Sequence, residues 1–132
     1  MPNSINLATR TAMMQSIITA IGATGGKMKL YNGTQPANAA AALAGNTLLG
    51  TLNWTSVPMG TATAGTIDFD EASMTQTSAS HVAGTPTFCD LTTSADVVVM
   101  RGLIGSGWTF TGAVVNAQNI TLASLVATAG NA

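Results

Sequence analysis

Lys27-Met28-Lys29-Leu30-Tyr31-Asn32-Gly33 is where the period of the chain changes. Polar and apolar side chains alternate from Lys27 to Tyr31, as in a half-buried strand, and Asn32-Gly33 then signals a turn. Upstream the period is helical. Leu7, Met14, Ile17, Ile18 and Ile21 fall close to one face, Asn3 or Ser4 can cap it, and Gly22 with Gly25 and Gly26 supplies a stop. A helix is expected over residues 5–21. Its other face carries Thr9, Gln15, Ser16 and Thr19 in place of the Lys and Glu that an exposed helix normally displays. Such a helix packs on two sides or leans on a neighbouring subunit. The expected organisation is therefore an N-terminal helical arm, residues 1–25, and a β-domain, residues 26–132. On this reading Leu7, Met14, Ile17 and Ile21 pack on another subunit or on the β-domain, and a chain lacking residues 1–22 still folds but loses assembly.

Downstream of Gly33 the chain reads as turn and strand. Pro36 opens the alanine-rich stretch Ala37–Ala44, a short helical turn or an ordered loop. Leu48–Trp54 is expected as a strand with Leu48, Leu52 and Trp54 on a common face. Further strands are expected at Thr66–Asp70, Ser73–Ser80, Thr85–Leu91, Val97–Leu103, Trp108–Val114 and Ile120–Ala127. All are rich in Val, Ile, Thr and aromatics and bounded by Gly, Asn, Ser and Pro. Thr93-Ser94-Ala95-Asp96 fits a hairpin loop. The continuous run Val97-Val98-Val99-Met100 suggests a central strand covered on both faces. The fold class is mainly β: an antiparallel β-sandwich or jelly-roll-like barrel with an N-terminal α-helical arm.

Composition narrows the function. Charged residues make up 7% of the 132 residues, where soluble domains carry about 25%. They are Arg10, Lys27, Lys29 and Arg101 against Asp68, Asp70, Glu71, Asp90 and Asp96, a net charge of −1. No apolar run reaches the ~18 residues of a membrane span. Ala12–Ala23 is short and interrupted by Gln15, Ser16 and Thr19. Arg10 and the small residues Gly22–Gly25 imitate a secretory leader, but the expectation is that nothing is removed. Scattered cations do not make a nucleic-acid surface. Cys89 alone excludes an internal disulfide framework. Threonine fills 21 positions, and its hydroxyl keeps an uncharged strand surface wet. Such a surface suits neutral contacts with other proteins.

Candidate chemistry is sparse. Asp68 and Asp70 share a strand face and suggest Ca²⁺, yet they lack the further ligands such a site needs; with Glu71 they read as solvated carboxylates at a strand end. His81 has no nucleophile or orienting carboxylate that sequence can locate. Cys89 reads as a small buried hydrophobe. Gly25-Gly26-Lys27 fails as a phosphate loop, because Ile21 stands at the first glycine and Met28 replaces Ser or Thr. Gly105-Ser106-Gly107 lacks the third glycine of a dinucleotide fingerprint. The Asn-x-Thr triplets at Asn32, Asn53 and Asn119 follow from threonine richness. Trp54 and Trp108 are expected in the core, with sugar stacking as the other reading. No catalytic, metal or cofactor residue is assigned.

The order of features resembles a group of small tailed-phage proteins encoded among virion structural genes. The resemblance is carried by the helix ending in glycines, Lys29–Ala37, the alanine-rich linker, Leu48–Leu52, Phe88–Leu91, Val97–Gly102 and the stretch Asn119–Val126. It implies a non-enzymatic capsid decoration (cement) protein on the virion surface. Such a protein is a dimer or trimer that contacts the major capsid protein or other virion subunits. A tail, baseplate or fibre-associated module is the alternative. A cell-wall hydrolase would need paired carboxylates across a cleft or a zinc site, and a pilus-like subunit a cleaved leader.

Overall fold

Asn6, rather than Asn3 or Ser4, starts the helix: its Oδ1 accepts the Thr9 N–H at 2.8 Å. In this computed structural model, residues 4–22, 25–55, 60–70, 74–105, 108–109, 120 and 126–128 are described. Helix α1 spans Leu7–Ile21, and the N–H of Gly22 closes its end on Ile18 O at 3.4 Å. On its polar side Thr11, Ser16 and Thr19 each donate a hydroxyl back to a carbonyl one turn earlier. The buried stripe is Met14, Ile18 and Ile21, with Ile17 partly buried, whereas Leu7 is half exposed. The buried face begins at Met14, about two turns after the Leu7 that the sequence suggested.

Among the described residues, nine strands follow in two antiparallel sheets. They are β1 (Lys27–Asn32), β2 (Thr47–Trp54), β3 (Gly60–Thr63), β4 (Thr66–Phe69), β5 (Met74–Gln76), β6 (Phe88–Thr92), β7 (Val98–Leu103), β8 (Trp108–Thr109) and β9 (Val126–Thr128). The order is β5-β2-β1-β6-β7 in one sheet and β3-β4-β9-β8 in the other. A 3₁₀ turn lies at Ser78–Ser80. Ala37–Ala44 takes the loop option, with no helix. The expected strand ends of Trp108–Val114 and Ile120–Ala127 lie partly outside the described residues, as do Glu71, Asn119 and both chain termini.

One core joins both sheets and the helix. Met28, Leu30, Leu49, Leu52, Trp54, Cys89 and Leu91 come from the five-stranded sheet. Ile67, Phe69 and Ala127 come from the other, and Met14, Ile18 and Ile21 from α1. Trp54 and Phe69 meet between the sheets with ring centroids 5.4 Å apart. The helix is thus part of the β-domain's interior rather than a detachable arm. Losing residues 1–22 would open that core, which corrects the truncation expectation. Thr11 also accepts the Gly65 N–H at 2.9 Å, fixing α1 to the β3–β4 hairpin, whose two loop residues Ala64 and Gly65 are both left-handed.

Two strand expectations change. A register shift between Leu30 and Tyr31 leaves Leu49 as the extra residue of β2. Leu49, not Leu48, therefore enters the core with Leu52 and Trp54, and Leu48 turns outward, 39% exposed. The Val97–Leu103 segment lies at the end of its sheet, not at its centre. Val97 is 61% exposed in the preceding loop, and only Val99 and Met100 pack against the core. The strand buried at all five positions is β6, Phe88-Cys89-Asp90-Leu91-Thr92, despite its aspartate. β3 carries no strand signal beyond Thr richness and is held by pairing to β4.

Ile18→Ala should cost about 2–5 kcal/mol in chemical denaturation, and Met13→Ala on the exposed side within about 0.5 kcal/mol of nothing. Equal, small losses would place the helix outside the core.

Candidate functional site

Cross-strand pairing sorts the five-stranded sheet into rows. Gly50, Leu30, Cys89 and Gly102 form one row, and Leu52, Met28, Leu91 and Met100 another; both point into the core. Facing away from it, Thr51, Lys29, Asp90 and Arg101 lie between those two rows, and Leu48, Tyr31, Phe88 and Leu103 lie beyond the first of them. This outer face gathers five of the chain's nine charged residues, counting Lys27 in the next row and Asp96 in the β6–β7 loop.

At its centre the Arg101 guanidinium grips Asp90 with both prongs, Nε to Oδ1 at 2.6 Å and Nη2 to Oδ2 at 2.7 Å. Both side chains are 2% exposed. The remaining prong, Nη1, donates to Asn38 O and Ala41 O, each at 2.9 Å, so the same side chain straps the β1–β2 loop onto the sheet. Phe88 lies under the guanidinium, 5.7 Å from its centroid, and stacks on Tyr31 at 5.3 Å and 13°. Gly33 (φ +90°) and Gly45 (φ +70°) turn the strap away from β1 and back into β2, in a conformation that L side chains rarely adopt. Asn46 closes its base: Nδ2 donates to Asn32 O and Thr34 O, while Oδ1 accepts the Ala44 N–H.

The strap does not lie flat. Beneath Ala39–Leu43 runs an open groove of about 530 Å³, floored by Tyr31, Asp90, Thr92 and Arg101 and rimmed by Lys29, Asp96 and Val97. Asp96 sits at a left-handed position (φ +64°) of the loop Thr93–Val97. Its Oδ1 lies 2.9 Å from both Lys27 Nζ and Lys29 Nζ. Hydrogen bonds from the two ammonium groups, Lys27 first, hold its carboxyl below the usual range. Burial, reinforced by the Asp90 charge, pushes the Tyr31 phenol up, so the hydroxyl stays a donor. That hydroxyl forms no hydrogen bond among the described residues.

The residues singled out from sequence do not converge here. Asp68, in β4, and Asp70, directly after it, are exposed on the other sheet. His81 is buried at 1%, with its ring against Gly50. Cys89 is fully buried, its thiol donating weakly to Gly102 O at 3.9 Å, and burial pushes its pKa up, so it is not a thiolate nucleophile. Trp54 is in the core, and the Trp108 side chain lies outside the described residues. Among the described residues no group of three or more His, Cys, Asp or Glu side chains could hold a metal ion, and no helix is long and apolar enough to cross a membrane. The Asp90–Arg101 pair was missed because its members stand eleven positions apart in two different strands. The one available signal was an aspartate inside the otherwise strand-like Thr85–Leu91.

Arg101→Met should cost about 3–5 kcal/mol by denaturation, since it strands a buried carboxylate. Adding Asp90→Leu should recover part of that stability. Amides of residues 38–43 should exchange faster in both variants; unchanged exchange would show that Arg101 does not hold the strap. The chain has a single tyrosine, so tyrosinate absorbance reports Tyr31 alone. Its midpoint should lie above the ordinary value of 10 in the folded protein. Because the folded value is raised, this contribution to stability is complete below pH 10 and is lost as pH rises through the folded value. A midpoint at 10 would contradict the buried position. Comparison of the chain with protein-family models, curated proteins and solved structures finds no match.

Proposed function

We propose that this chain is a non-enzymatic structural subunit of a phage virion, a capsid decoration protein with the two-sheet arrangement of a β-sandwich. One observation carries the reading: the molecule offers a sparsely charged, partly apolar exterior. Leu7, Met13, Leu43, Leu48, Val82, Val97 and Leu103 are each at least 39% exposed. Meanwhile Lys27, Lys29, Asp90, Asp96 and Arg101 spend their charge on one another. An exterior of this kind loses little on drying and suits broad contact with neighbouring subunits. Cementing a lattice needs many modest contacts and no reactive group. The buried Asp90–Arg101 pair supports a holding role, because each charge is taken up by the other and the remaining Arg101 donor by the carbonyls of Asn38 and Ala41.

Mass spectrometry with copy counting on purified particles tests this. Hundreds of copies per particle, with loss of head stability when they are stripped, is the expected result. Between about three and a few dozen copies, as symmetric tail or baseplate assemblies carry, would move the chain to that machinery. Absence from the particle would overturn the virion role.

A further inference from the structure

We infer that the outer face of the five-stranded sheet is a docking surface for a second copy of this chain, which presents the exposed acidic side of β4. The inference deepens the assembly reading above and rests on it. Exposed apolar side chains border this face, although Tyr31 and Phe88 at its centre are buried. The row Leu48, Tyr31, Phe88 and Leu103 crosses four strands with its ends 39% and 46% exposed. Leu43 and Val97, 41% and 61% exposed, stand at the rim of the adjoining groove. Four of the seven large hydrophobics exposed among the described residues thus border one surface.

Charge selects the occupant. On this face three cations (Lys27, Lys29, Arg101) meet two carboxylates (Asp90, Asp96), leaving +1. The other four charged residues, Arg10 against Asp68, Asp70 and Glu71, sum to −2, which accounts for the net −1 of the chain. Of these, Asp68 lies in β4 of the other sheet and Asp70 directly follows that strand, and both are exposed. Pairing this face with itself would oppose like charges, whereas the Asp68 side of another copy brings the opposite sign. Asp68 is exposed opposite Thr61 and makes no ion pair among the described residues. The groove offers an arriving carboxylate two groups: Lys29, which shares Asp96 with Lys27, and the Tyr31 hydroxyl. Tyr31 is 94% buried as a residue, lines the groove, and is without a hydrogen-bond partner among the described residues. Contact between two different faces is heterologous, so copies add head to tail, and the rotation between them decides whether a ring closes.

Sedimentation velocity of the full chain, over a range of concentrations and salt, provides the test. The wild type should associate, less so as salt rises. Lys29→Glu and Asp68→Lys should each shift association to about tenfold higher concentration. An equimolar mixture of the two should restore it, because each reversed face then meets its complement. Should Lys29→Glu fail to fold, Asp68→Lys, on an exposed strand position, still decides the matter. A monomeric wild type, reversals without effect, or a mixture that fails to restore association would each overturn the inference. A monomer abundant in particles would sink this contact and leave the virion reading standing; self-association of a chain absent from particles would do the reverse.

Discussion

A carboxylate in the interior of a strand buried at every position needs a partner that never leaves, and in this chain the partner is the Arg101 guanidinium. The bidentate contact neutralises Asp90 where water is excluded, and the prong left over binds two carbonyls of the β1–β2 strap. Desolvating two charges costs several kcal/mol, and the pair repays this only with near-ideal geometry and further hydrogen bonds. Four hydrogen bonds and the Phe88 ring beneath supply both. What the pair adds is specificity of arrangement. It fixes β7 against β6 in one register and sets the strap's height above the sheet, and so the size of the groove.

The sheets themselves are held by a different force. The shared core of α1, both sheets and the Trp54–Phe69 contact supplies the apolar burial that stabilises the fold. On the outside, hydroxyls and amides replace charges as the means of satisfying the backbone. Thr11, Ser16 and Thr19 bond to their own helix, Thr87 to the carbonyls of Tyr31 and Gly33, and Gln76 to both backbone groups of Ile120. Short side chains of this kind lose little entropy when a neighbour covers them. A surface built from them is ready for contact in a way that a lysine- and glutamate-covered surface is not.

These two features belong to one economy of charge. The chain has few ionisable groups, and five of them lie on one sheet face, where two carboxylates organise three cations. At the other sheet Asp68, in β4, and Asp70, directly after it, stand exposed. The asymmetry gives an otherwise bland exterior a direction, which is the property a repeating assembly requires of its subunit.

Alternation in Lys27–Tyr31, the helical period before Gly22 and the turn signals between Val- and Thr-rich runs were enough to determine a mainly β chain led by one helix, because hydrophobic period is a local property. The paucity of charge and the single cysteine bounded the chemistry in the same local way. Other features were out of reach. The cap at Asn6, the bulge that exchanges Leu48 for Leu49, and the placing of Val98–Leu103 at the end of its sheet depend on which surfaces meet, not on the residues themselves. The charged face is the clearest case: Lys29, Asp90, Asp96 and Arg101 are far apart in sequence and only antiparallel pairing of β1, β6 and β7 makes them neighbours. Sequence determined the elements and their chemistry; tertiary structure decided the partners, because register and burial are set by contacts between segments that carry no local sign of one another.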